Sequence, residues 1–172
     1  MVDRSSAPEV LAALGQLHRE VDAAAARLVS RHGPRLRCGP GCADCCIDEL
    51  TVFTVEAAAI RRRYGALLQS ATPHPVGACA FLDDERCCRI YHARPYVCRT
   101  QGLPLRWIDE GPAGELAELR DICQLNDEGL DLTELEPAAC WTLGPVEARL
   151  RQLQLRYAAG GLDRIALREL FE

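Results

Sequence analysis

Near the start of the chain apolar residues recur at spacings of four and three. Val10, Leu14, Leu17, Val21, Ala24 and Leu28 form one stripe of a helix predicted over residues 8–31. Gly33-Pro34 closes it, so residues 8–32 read as an N-terminal helical segment. Glu49–Phe53 reads as a short strand, and Thr54 as the N-cap of a helix running to about Ser70. Ala57, Ile60, Tyr64 and Leu67 would face the core. After the break at Thr72-Pro73-His74-Pro75 and Gly77 the pattern becomes short-ranged. Cys79–Leu82 is a candidate strand, Asp83-Asp84-Glu85 a solvated turn, and residues 102–131 a loop-rich stretch. Val146, Leu150, Leu153 and Tyr157 predict a helix after Pro145, and a last helix is expected over residues 163–171.

The expected fold is mainly α, with short irregular β segments and helices enclosing a cysteine-rich metal-binding centre. Its expected organisation is a single domain over residues 1–172. Residues 35–126 form the cysteine-cluster region, and residues 145–172 form the C-terminal helices.

Composition supports a folded, helix-rich chain: 48% of its 172 residues are apolar and 26% charged. No apolar run reaches the length of a bilayer span, and Met1–Ser6 leads into a polar helix without the apolar core of a signal peptide. A cytoplasmic location is the expectation. Net charge is −5 and all 20 basic residues are arginine. Without a basic excess no nucleic-acid partner is expected, and without lysine neither a Walker A loop nor a lysine Schiff base can form. Arg61-Arg62-Arg63 reads as the wet face of its helix.

Ten cysteines change the picture. In a reducing compartment clustered thiols point to metal or redox chemistry rather than disulfides. Cys38-Gly39-Pro40-Gly41-Cys42-Ala43-Asp44-Cys45-Cys46 places four thiols in one tight loop. Zinc and iron–sulfur clusters both need thiolates converging on one point, and a short loop achieves this with little closure entropy. Vicinal thiols such as Cys45-Cys46 and Cys87-Cys88 point apart, which leaves open two sites, a multinuclear cluster, or one ligand beside one packed thiol. Cys38-x3-Cys42-x2-Cys45 also has the spacing of radical S-adenosylmethionine enzymes, but the alternating strand–helix units of those barrels are missing.

Cys38-x3-Cys42-x2-Cys45-Cys46, then Cys79-Ala-Phe-Leu, then Cys88-Arg-Ile-Tyr-His-Ala-Arg-Pro-Tyr-Val-Cys98-Arg resemble the YkgJ-like cysteine-cluster family. Gln101–Leu105 and Cys123-Gln124-Leu125-Asn126 are similar to its longer members. The resemblance implies a CxxCxxCC-type zinc- or iron-chelating domain. Its cysteines fall on Cys38, Cys42, Cys45, Cys46, Cys79, Cys88, Cys98 and Cys123, leaving Cys87 and Cys140 as extras. The chain is also similar to flagellin lysine-N-methylases, a resemblance that implies an iron–sulfur centre. A 4Fe-4S cluster is the favoured cofactor and zinc the alternative. Arg89, Arg94 and Arg99 are placed to offset thiolate charge and hold loop carbonyls. The expected function is metal binding, with the metal ion or cluster as partner, no membrane partner, and no protein partner legible. The alternative is an iron–sulfur enzyme doing redox or S-adenosylmethionine-dependent methyl transfer. No motif names a reaction.

Overall fold

The computed structural model describes residues 7–129 and 131–172; the lead-in Met1–Ser6 lies outside them. Helix α1 (Ala7–His32) buries Val10, Leu14, Leu17 and Val21 as the stripe requires. At its far end Ala25 is buried as well, and Ala24 and Leu28 are partly buried against the same cluster, since 3.6 residues per turn slowly rotates a strict four–three pattern across the contact face. Helix α4 (Pro145–Tyr157) packs on α1 through Leu150 and partly buried Val146, Leu153 and Tyr157. Pro145 occupies the first helical position, where its missing N–H costs nothing.

Strand β1 (Thr51–Phe53) leads into helix α2 (Thr54–Ser70). Thr54 is not the N-cap: Phe53 holds that position and offers no side-chain bond. Gln154 of α4 supplies it instead. Its Oε1 accepts from the Val55 backbone N–H at 3.0 Å, and Gln154 is fully buried. A cap from another helix satisfies an orphan donor that would otherwise be stranded in the core.

The fold is mixed α/β, not mainly α: 48% of the structure is helical and 13% is strand, in two small sheets. Two segments account for the difference. Residues 163–171 do not form a helix. β5 (Arg164–Ala166) pairs antiparallel with β1 in the register Val52↔Ile165, and a short 3-10 turn follows over Arg168–Phe171. β1 has backbone groups that need a partner, and the C-terminal segment provides it. The stretch read as loop-rich contains a hairpin, β2 (Leu105–Glu110) with β3 (Leu116–Asp121), and β4 (Trp141–Thr142) adds to β2 in parallel. In that hairpin Arg106 faces Arg120. Glu118 offsets the repulsion by accepting from Arg106 at 2.8 Å and from Arg120 at 2.7 Å. Cys79–Leu82 forms no strand, only an isolated bridge between Leu82 and Cys88.

Two large apolar clusters result, beside a small third one of Leu135, Ala139 and Cys140. One joins α1, α4, Val55, Tyr96, Leu103 and Trp141. The other joins Ile60 and Leu68 of α2 to Phe81, Ile90, Leu167 and Leu170, and Cys46, Cys79 and Cys88 belong to or pack against it. Part of the cysteine region is therefore core. Among the described residues no helix is long and apolar enough to cross a membrane.

Candidate metal centre

The cysteine loop is a pair of tight turns, Cys42 N–H to Gly39 carbonyl at 3.0 Å and Cys46 N–H to Ala43 carbonyl at 2.9 Å. Gly41 has φ +82°, which a side chain would resist. Ala43, between the turns, is buried in the second apolar cluster. The loop is tied to the next cysteine segment by the backbone, Cys79 N–H donating to the Cys46 carbonyl at 2.8 Å. The turn at Asp83-Asp84-Glu85 is closed by Asp83, whose Oδ1 accepts from Glu85 N–H at 3.0 Å and Cys87 N–H at 2.7 Å. Beyond it, Arg89 N–H bonds the Phe81 carbonyl at 2.9 Å, which folds Cys88 back towards Cys79. Helix α3 (Tyr96–Arg99) carries Cys98, with Cys98 N–H on the Pro95 carbonyl at 3.0 Å.

Five of the eight candidate thiols, Cys45, Cys46, Cys79, Cys88 and Cys98, each interact through charge or a hydrogen bond with at least one other of the group. Burial first, then the charges of Cys79, Cys88, Cys45 and Glu56, push the Cys98 thiol far above its ordinary value. Cys46 is pushed up by its hydrogen bond with Cys45, then by burial, then by Cys45, Cys79 and Cys98. The same bond, donated by the Cys46 thiol, holds Cys45 down to about 6. Burial raises Cys79 and Cys88, opposed in each case by a backbone N–H two residues on, from Phe81 and from Ile90. Amides aimed at sulfur stabilise thiolates, and a bound cation removes the mutual repulsion that keeps such thiols protonated.

The other three candidates keep separate company. Cys38 is raised by burial and by the neighbouring Cys123 and Cys42, and is opposed by a hydrogen bond from Asn126. The Asn126 amide donates to Cys38 Sγ at 3.2 Å and to the Gly102 carbonyl at 2.7 Å, while its Oδ1 accepts from Arg37 N–H at 2.7 Å. Asn126 N–H returns to the Cys123 carbonyl at 2.7 Å. Among the described residues no three His, Cys, Asp or Glu side chains stand in metal-ligating geometry. The donor chemistry nonetheless fits a thiophilic metal: five sulfurs share one region, with amide N–H groups on two of them.

Arg89 and Arg94 do what their positions suggested. Arg89 binds the Thr72 and Ala80 carbonyls at 3.0 and 2.6 Å, Arg94 binds the Cys98 carbonyl at 3.3 Å, and both lower Cys88. Arg99 differs: it is buried and pairs with Asp22 of α1 at 2.6 Å. Several contributors carry no motif. Arg168 binds the carbonyls of His74 at 2.8 Å and Ala78 at 2.9 Å and pairs with Asp48. Buried Glu56 accepts from Tyr96 N–H at 2.8 Å and stands 3.5 Å from His18. These are long-range contacts of single polar residues, and only Asn126, beside Cys123, lies in a stretch the resemblance touched. Cys140 is packed with Leu135 and Ala139, away from the other thiols, and two open surface clefts, at Glu118–Thr133 and between α1 and α4, are lined by none of the eight.

Comparison with curated proteins and with solved structures gives no match. Residues 37–124, just over half of the chain, match the model of the CxxCxxCC family, described as a putative zinc- or iron-chelating domain, and the chain belongs to that family.

Proposed function

We propose that the chain is a metal-binding module whose principal centre is an iron–sulfur cluster held by Cys46, Cys79, Cys88 and Cys98, with Cys45 at its edge. The carrying observation is the meeting of these five thiols where the first loop, the Cys79–Cys88 turn and α3 join. Four thiolates are what a 4Fe-4S cluster requires, and Cys46, Cys79 and Cys88 belong to or pack against one apolar cluster. Close sequence packing of vicinal thiols suits a cluster better than two well-separated zinc knuckles. When bound, the cluster would supply redox or purely structural chemistry. The chain's own part is to present sulfurs from three segments, to point the Phe81 and Ile90 amides at two of them, and to place Arg89 and Arg94 nearby.

Zinc is the competing occupant, and elemental analysis decides. Protein purified without oxygen should carry iron and acid-labile sulfide with broad visible absorption that bleaches on reduction. Stoichiometric zinc with neither iron nor sulfide, from cells supplied with iron, would replace the iron reading with a zinc one.

A further inference from the structure

We propose that the free edge of β3 pairs antiparallel with the same edge of a second copy of this chain, in the register that centres on Leu119. The inference uses no cysteine and stands apart from the metal reading.

The parity of the hairpin comes first. Gly111 N–H donates to the Glu115 carbonyl at 2.8 Å, and these two residues continue the register of the β2–β3 ladder. In an antiparallel pair, residues that exchange backbone bonds alternate with residues that do not. Asp109 with Ala117, Trp107 with Leu119 and Leu105 with Asp121 are therefore the bonded pairs. The residues between them turn their N–H and C=O groups outward. On the β2 side such groups are used: the Pro104 and Arg106 carbonyls accept from Trp141 N–H at 2.7 Å and Leu143 N–H at 2.9 Å, alongside β4. On β3 they belong to Leu116, Glu118 and Arg120, and β3 is the outer strand of its sheet. Among the described residues nothing holds the outward backbone groups of these three. The strand is exposed except at Arg120, and an open cleft is lined by Glu118, Leu119 and Arg120.

The side chains decide which strand fits. Leu116 and Leu119, with Ile108 of β2, are exposed apolar residues of the hairpin. An unpaired edge carrying such residues is a template for another strand. Two registers use the outward groups and keep Glu118 and Arg120 both opposite a β3 residue of a second copy. One sets Glu118 against its own copy, and like charges directly opposite are destabilising. The other centres on Leu119, so Glu118 stands opposite Arg120 of the second copy and Arg120 opposite its Glu118. This register also relieves the hairpin's own like-charge pair. Arg106 faces Arg120 on one side, and a carboxylate of the second copy would face Arg120 on the other. Leu119 then meets its own copy in a pair without backbone bonds, where side chains approach most closely, with Trp107 beside each on the same face. The arrangement is closed by a two-fold axis and joins the two three-stranded sheets into one.

The test is sedimentation equilibrium of the whole chain, kept reduced and free of oxygen, over a concentration series. Wild type should approach twice the 18.9 kDa of one chain as concentration rises. Hydrogen exchange of the Glu118 and Arg120 amides should slow about tenfold or more over the same series. The Leu119 amide, bonded within the hairpin, should stay protected throughout. Leu119→Lys and Leu119→Asp should each be monomeric, because each sets two like charges against one another at the two-fold axis. Mixed in equal amounts they should regain the dimer, since only this register puts residue 119 opposite itself. A mixture that stays monomeric refutes the register, and a dimeric Leu119→Lys puts the interface elsewhere; either result overturns the proposal. Wild type that keeps the mass of one chain overturns it too, whatever other strand the edge then proves to bind. Should a variant lose its native circular dichroism, exchange in wild type decides, and Glu118 and Arg120 amides whose rates ignore concentration overturn the pairing.

Discussion

The side-chain amide of Asn126 stands 3.2 Å from the sulfur of Cys38, across 88 residues of chain. Four further groups bond that residue, the Arg37 N–H, the Gly102 carbonyl, the Cys123 carbonyl and the Arg35 guanidinium, the last two through its backbone. Asn126→Ala leaves two polar groups without a partner and should cost about 2–3 kcal/mol in equilibrium unfolding by urea. Asn126→Asp turns a donor into an acceptor against a sulfur and a carbonyl and should cost more at neutral pH. Equal stability of the two variants would show that the amide does not serve as the donor.

Gly102 and Gly41 both have positive φ, but only Gly102 has no room for a side chain: a Cβ would sit 2.8 Å from Cys38 Sγ, against 3.8 Å from the Glu85 carbonyl at Gly41. Gly41→Ala should cost about 1–2 kcal/mol, the backbone part alone. Gly102→Ala should cost clearly more and should change the alkylation rate of Cys38, because sulfur or backbone must move. Mass-spectrometric labelling kinetics would show it, and an unchanged rate with unchanged stability would contradict the contact.

Gln154 caps α2 from a different helix, so Gln154→Leu should act far from its own position. It strands the Val55 N–H and removes the partner of Thr54 Oγ1. The expected cost is about 1–3 kcal/mol, with loss of amide protection at the first turn of α2 in hydrogen exchange. Protection lost only within α4 would mean that the cap is unimportant.

Asp48 has its carboxyl held below the usual carboxylate range, first by the Gly77 N–H and then by Arg168. A folded value below the unfolded one makes its contribution complete above the unfolded value, and that contribution disappears as pH falls through the folded one. Protection of the amides of His74 and of residues 76–79, the approach to Cys79, should therefore fade on acidification below about pH 4. Asp48→Asn should lack this step and resemble the acidified wild type at pH 7. A variant as protected as wild type at neutral pH would remove Asp48 from the clamp.

Cys98 and Cys140 separate ligation from packing. Cys98→Ala removes a thiol from the five-sulfur group and should sharply lower bound iron. Cys140→Ala removes a small buried volume beside Leu135 and Ala139 and should cost about 1 kcal/mol with metal content intact. Iron analysis of the two variants decides, and an emptied centre in Cys140→Ala would refute the assignment.

The sequence by itself determined the elements with their own periodicity and the chemistry carried by spacing. The stripes through Val10–Val21 and Val146–Tyr157 predicted α1 and α4, because a helix face repeats within one segment and needs no partner to be visible. The cysteine pattern identified the family, because short loops fix thiols near one another whatever the rest of the chain does. Tertiary structure decided what depends on a distant partner. Arg164–Ala166 becomes a strand only because Thr51–Phe53 offers an unpaired edge, and the β2–β3 hairpin is steadied by β4. It also decided which thiols share company. Cys42 and Cys45 are three residues apart, yet the burial of Ala43 and the anchors at Cys79 and Asn126 send their halves of the loop to different neighbours. Sequence spacing bounds how far apart two side chains can be; only packing determines which way each one faces.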